Sequence, residues 1–96
     1  MKLPYEFTLG KTTHTVQSAT SHSRIHGKYW WGHQHIVVAT QHKGHPRKSQ
    51  DIAETFWHEV THAILRDMSS PLWTNEEFVT AFSKRLTQVI YTARFS

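Results

Sequence analysis

The chain of 96 residues contains no cysteine. Disulfide staples and thiolate metal sites are therefore excluded, and any transition-metal site must be built from nitrogen and oxygen donors. No stretch approaches the roughly 20 apolar residues of a membrane-spanning helix. The opening Met1 to Glu6 also lacks the apolar run of a secretory signal. A soluble, cytoplasmic protein with no membrane partner is the expectation. No internal repeat, low-complexity tract or shift of composition divides the sequence, so residues 1–96 are expected to form one small domain, with a modest core and a cleft that is either shallow or completed by a partner. Acidic residues are scarce, 7 against 11 Lys and Arg, which gives a formal charge of +4. That is ordinary for a small soluble domain. The densest basic stretch, His42 to Lys48, carries Gly44 and Pro46 and no apolar periodicity, which reads as a solvated loop. Nucleic acid is not expected as a partner, and Trp30 and Trp31 are expected in the core.

Histidine is abundant instead, 9 of 96 residues. Its distribution matters once the periodicity around it is read. In the first forty residues the pattern is that of strands. Tyr5, Phe7 and Leu9 alternate with Glu6 and Thr8, Gly10-Lys11 signals a turn, and Thr12 to Val16 resumes a β-branched run, predicting a hairpin. Ser18 to Gly27 is polar and reads as a loop. Tyr29 to Trp31 and Ile36 to Ala39 supply two further short strands, with Gly32 and His33 as the turn between them.

From Ser49 the apolar period becomes that of a helix, about 3.6 residues. Ser49 is placed to cap it and Asp51 falls in its first turn, where negative charge suits the helix dipole. Ile52, Ala53, Phe56, Val60, Ala63 and Ile64 share one sector, Trp57 borders it, and His58 and His62 lie opposite. Ser69-Ser70-Pro71 ends this helix near Met68. A second helix is announced by Thr74 and Glu77 at capping-box spacing, with Trp73 as a staple on Phe78. Its expected core stripe is Phe78, Val79, Phe82, Leu86, Val89 and Ile90, with Lys84, Thr87, Gln88 and Tyr91 mostly away from it. The fold class expected is α+β: a small N-terminal antiparallel sheet of three to four short strands, a metal-binding helix, and a C-terminal amphipathic helix.

The chemistry is concentrated in His58-Glu59-Val60-Thr61-His62, an HExxH segment. Residues four apart stack on one helix face, so His58 and His62 can both offer an imidazole nitrogen to one ion. Glu59 lies one step round, within reach of a water held there. A catalytic zinc takes three protein ligands and leaves a place for water, so a third ligand is needed. The positions at which one large group of such proteins carries a glycine and a third histidine are here Leu65 and Met68, which leaves a glutamate of the second helix, Glu76 or Glu77. The capping box claims Glu77, and Glu76 lies on the wheel beside Val79 and Ser83, facing the first helix. Glu76 is preferred and Glu77 is the alternative.

With these residues in place the sequence resembles a minimal gluzincin, a zinc metallopeptidase with two histidines from HExxH and a downstream glutamate. Trp73-Thr74-Asn75-Glu76 is similar to the W-x-N-E of the aminopeptidase branch, and the layout around Phe56 to Leu65 resembles short HExxH proteins of phages and bacterial genomes. The resemblance implies Zn²⁺ held by His58, His62 and Glu76, Glu59 as general base, and a protein or peptide substrate hydrolysed at a peptide bond. It also implies an extended substrate paired on a sheet edge, expected at Ile36 to Ala39. Where gluzincins often carry an aspartate to orient a ligand histidine this chain has Thr80, so that support is either weaker or supplied from elsewhere, with Asp51 as the candidate. Tyr29, His33 and His35 are the candidates for stabilising an oxyanion. The contrasting reading is a non-catalytic, zinc-stabilised binding or adaptor protein, in one version associated with nucleic acid.

Overall fold

The computed structural model describes residues 2–21 and 23–96; His22, inside the loop expected over 18–27, lies outside the described residues. The fold is α+β, with a mixed sheet of five strands and two helices among the described residues. The strands are β1 (Glu6–Leu9), β2 (Thr12–Ser21), β3 (Gly27–Trp30), β4 (His35–His42) and β5 (His45–Pro46). The helices are α1 (Ser49–Asp67) and α2 (Glu76–Thr92).

Alternation of apolar and polar side chains makes β1 and β2 the expected hairpin, turning at Gly10 with φ of 59°, a left-handed conformation that glycine adopts without strain. The sheet departs from the antiparallel expectation at its centre. β2 pairs with β4 in parallel, in the order β1-β2-β4-β3, and β5 adds to β4. The polar composition of residues 18–27 conceals this pairing: Ser18 to Ser21 extend β2, and a chain that continues so far must cross over before β4. The basic stretch likewise closes a tight β4–β5 hairpin rather than a free loop.

One sheet face packs on α1. Ile36 and Val38 of β4 are fully buried against Ile52, Phe56 and Val60, with Phe7, Val16 and Tyr29 at the margin. The apolar sector of α1 is the one its periodicity predicts. Its opposite face is covered too, by β3, by the 3-10 turn at Pro71–Thr74 and by α2, so that Glu59, Thr61 and His62 are buried as well.

Helix α2 corrects the expected stripe. Of the six residues proposed for its core only Val79 is buried, while Phe82 is 47% and Val89 61% exposed. Ser83 and Thr87 are buried instead, and Thr87 stood on the side expected to face away. The row Val79-Ser83-Thr87 is an i, i+4 ridge of small side chains that lets α2 approach α1 closely, and this rotates the larger residues outward. Trp30 and Trp31 are also half exposed rather than core, with the Lys28 ammonium 3.8 Å from the Trp30 ring and the Arg66 guanidinium 4.5 Å from that of Trp31.

The caps differ as well. Lys48 occupies the N-cap position of α1 and Ser49 is its first residue. For α2 the cap is Asn75, whose Oδ1 accepts a hydrogen bond from the N–H of Phe78 at 3.0 Å. Thr74 belongs to the preceding 3-10 turn, so there is no Thr74–Glu77 capping box. Trp73 packs edge-on to Trp31, and Phe78 stacks on Phe82, in place of the expected staple. No helix among the described residues is long and apolar enough to cross a membrane.

Candidate metal centre and cleft

His58 and His62 project from the same side of α1, one turn apart, with ring centroids 5.0 Å from each other. Both present Nε2 to the carboxylate of Glu76. His58 Nε2 lies 3.1 Å from Glu76 Oε2, and His62 Nε2 lies 2.7 Å from Glu76 Oε1. Glu76 is the first residue of α2, brought here because it shares the Val79-Ser83 arc that seats α2 on α1. Glu77 has no such contact among those described.

The donor set fits a first-row divalent cation. Two imidazole nitrogens and one carboxylate oxygen lie within 4.8 Å of one another, and donors around a tetrahedral ion with bonds of about 2.1 Å stand about 3.4 Å apart. The chemistry of the crowding points the same way. One carboxylate faces two imidazole nitrogens, and a single cation satisfies all three at once. Burial and the neighbouring His62 depress the pKa of His58 against the opposing pull of Glu76, favouring the neutral ring that a metal requires.

The histidine-orienting group is one the sequence did not reveal. His62 Nδ1 donates to the main-chain carbonyl of Trp73 at 2.6 Å, which turns Nε2 toward Glu76. Asp51 does not play this part: it is exposed, and its backbone carbonyl accepts from Arg47 and Thr55. The signal available in the sequence is Trp73 itself, three residues before Glu76, but a main-chain acceptor has no side-chain signature.

Glu59 is only 8% exposed and its carboxyl is pushed up to about 7. Burial is the main cause and the negative Glu76 adds to it, while His62 opposes. What holds Glu59 down is β3. Gly27 passes so close that a Cβ there would lie 2.6 Å from Thr55 Cγ2 and 3.0 Å from Glu59 Oε2. A glycine before the Tyr29-Trp30-Trp31 run was the visible sign of this close approach.

β3, not the Ile36–Ala39 segment, is the free edge beside the site. β4 lies inside the sheet, between β2 and β3. Because Ala39 N–H donates to the His26 carbonyl at 2.7 Å, the main-chain groups of Lys28 and Trp30 point to β4, and those of Gly27 and Tyr29 point outward. Of the oxyanion candidates, only Tyr29 lines the cleft with His58, Glu59 and His62. Its hydroxyl interacts with Arg66, and burial raises its pKa. His33 is exposed in the 3-10 turn Trp31–His33, and His35 is held on the sheet by Thr15 and Gln17.

Compared with known proteins, the chain matches no family model, no curated protein and no solved structure.

Proposed function

We propose that the chain is a zinc-dependent peptidase of gluzincin type, with His58, His62 and Glu76 as metal ligands and Glu59 as general base. The observation that carries this reading is the convergence of both Nε2 atoms on the Glu76 carboxylate, with Glu59 buried one step round the same helix. Zinc in such a donor set supplies Lewis-acid polarisation of a carbonyl and acidifies water. The residues of the chain do the rest. Glu59, buried one step round the helix from His58, takes a proton from the attacking water and passes it to the leaving amine. The water oxygen bonds to the carbonyl carbon, the C–N bond breaks, and the products are a carboxylic acid and an amine. The outward main-chain groups of Gly27 and Tyr29 hold the substrate extended by strand addition.

A zinc site serving stability alone is closed by a fourth protein ligand. Among the described residues the cluster has three members, which favours the hydrolytic reading over a zinc-stapled binding or adaptor protein. The test is digestion of an unfolded protein such as casein. Zinc-loaded protein is expected to cut it, chelation to stop the cutting and zinc to restore it. Glu59→Gln is expected to bind zinc normally and cut at least about 100-fold more slowly. A Glu59→Gln variant as active as the wild type, or zinc-loaded protein that cuts nothing, would overturn the reading.

A further inference from the structure

Two hollows meet at Glu59. One, of 530 Å³, is lined by Tyr29, Trp73 and Thr74, and the other, of 350 Å³, by Glu54, Thr80, Ser83 and Lys84. They share Ile25, Gly27, His58 and Glu59. The general base thus stands in the middle of a groove and not at a closed end. From Glu54 to His62 helix α1 advances about 12 Å, the length of three to four extended residues at about 3.3 Å each. β3 runs alongside with its free edge.

A peptidase that acts on chain ends captures the terminal amine or carboxylate with a charge free to face one side of the site. Neither end of this groove offers one. On the Trp73 side both Lys28 and Glu76 are engaged: the Lys28 ammonium lies 3.8 Å from the Trp30 ring centroid, and the Glu76 carboxylate faces His58 and His62. On the other side Glu54 and Lys84 oppose one another in sign and select neither kind of terminus. The two ends differ in a further respect. Tyr29 and Trp73 give the larger hollow aromatic walls, whereas no Phe, Tyr or Trp lines the smaller one among the described residues.

We infer that the groove takes an internal segment of an unfolded polypeptide, with residues bound on both sides of the cleaved bond. β3 runs from the Glu54 end toward the Trp73 end, since Gly27 abuts Thr55 and Glu59 while Tyr29 reaches Arg66. An antiparallel partner, the more stable pairing, enters at Trp73 and leaves past Lys84. The residue on the N-terminal side of the cleaved bond is therefore large and apolar, seated against Tyr29 and Trp73. This rests on the hydrolytic reading proposed above.

The experiment uses the zinc-loaded full chain and octapeptides acetylated at one end and amidated at the other, with fragments identified by mass spectrometry. The expected result is internal cleavage of the blocked peptides at close to the rate of their unblocked counterparts. Phe or Leu on the N-terminal side of the cut is expected to be favoured over Ala by about tenfold. Trp73→Ala at saturating zinc is expected to erase that preference. Stepwise removal of single residues from free peptides, with blocked peptides untouched, would overturn the inference and leave the hydrolytic reading standing. Blocked peptides cut without regard to the Phe or Leu side chain would overturn the assignment of the aromatic hollow. Failure of the zinc-loaded protein to cut any peptide, free or blocked, removes both.

Discussion

The main-chain carbonyl of Trp73 lies 2.6 Å from Nδ1 of His62. This contact joins the 3-10 turn after α1 to the histidine in the middle of α1, and it fixes which ring nitrogen is free. The turn is held in its own right: the Trp73 ring packs at 6.5 Å from Trp31, with the Arg66 guanidinium 5.5 Å from it. In the zinc-loaded protein His62 is expected to keep its proton on Nδ1 and carry none on Nε2, read from nitrogen-15 shifts and long-range proton couplings. A proton on Nε2 would contradict the assignment.

Two adjacent glutamates make the ligand assignment separable. Glu76→Gln is expected to weaken zinc binding by at least about tenfold, and Glu77→Gln to leave it within about twofold, both by competition with a chromophoric chelator. The reverse order would move the site to Glu77.

Much of this arrangement was legible in the sequence and some was not. The HExxH segment stands out because the two faces of its helix differ in composition, and one reason to prefer Glu76, its place beside Val79 and Ser83, agrees with the face that α2 buries. The other reason was unsound. Asn75, not Thr74, caps α2, so Glu77 is not drawn into a capping box. Two carboxylates stand side by side in the sequence, and Glu76, the first residue of α2 after the 3-10 turn at Pro71–Thr74, is the one that faces the two histidines. The outward turn of Phe82 and Val89 was hidden because size, and not apolarity, governs how closely two helices approach. The parallel β2–β4 pairing was hidden because polar strands with no alternation resemble loops.

The cap assignment has its own test. Asn75→Ala is expected to lower stability by about 1 kcal/mol in urea unfolding, and Thr74→Ala by less than about 0.5 kcal/mol. Equal losses, or a larger loss at Thr74, would restore the capping box.

Gly27 is where strand and base meet. Gly27→Ala places a methyl group against Thr55 Cγ2 and the Glu59 carboxylate. It is expected to cost about 1–3 kcal/mol of stability and to reduce peptide cleavage more than zinc binding, because it displaces the base and not the ligands. A variant with unchanged stability and activity would show that β3 can move away freely.

Glu59 also gives the zinc-free protein a pH signature. Its carboxyl titrates near 4.5 when unfolded and about 7 when folded, so the folded chain holds the proton more tightly. Its contribution to stability is full below the lower value and is lost as pH rises through the higher one, on the order of 3 kcal/mol in all. With chelator present, the stability difference between wild type and Glu59→Gln is expected to shift against the wild type from pH 5 to pH 8, measured by urea midpoints. A difference that does not change with pH would contradict the burial of this carboxyl.

The central claim is that His58, His62 and Glu76 hold one zinc ion. Zinc-edge X-ray absorption on the loaded protein, with metal analysis on the same sample, tests it most directly. The account predicts one zinc per chain, with two imidazole nitrogens at about 2.0–2.1 Å and oxygen in the remaining positions. Three or more imidazoles in the shell, or a full equivalent of zinc retained by the His58→Ala/His62→Ala double variant, would contradict it.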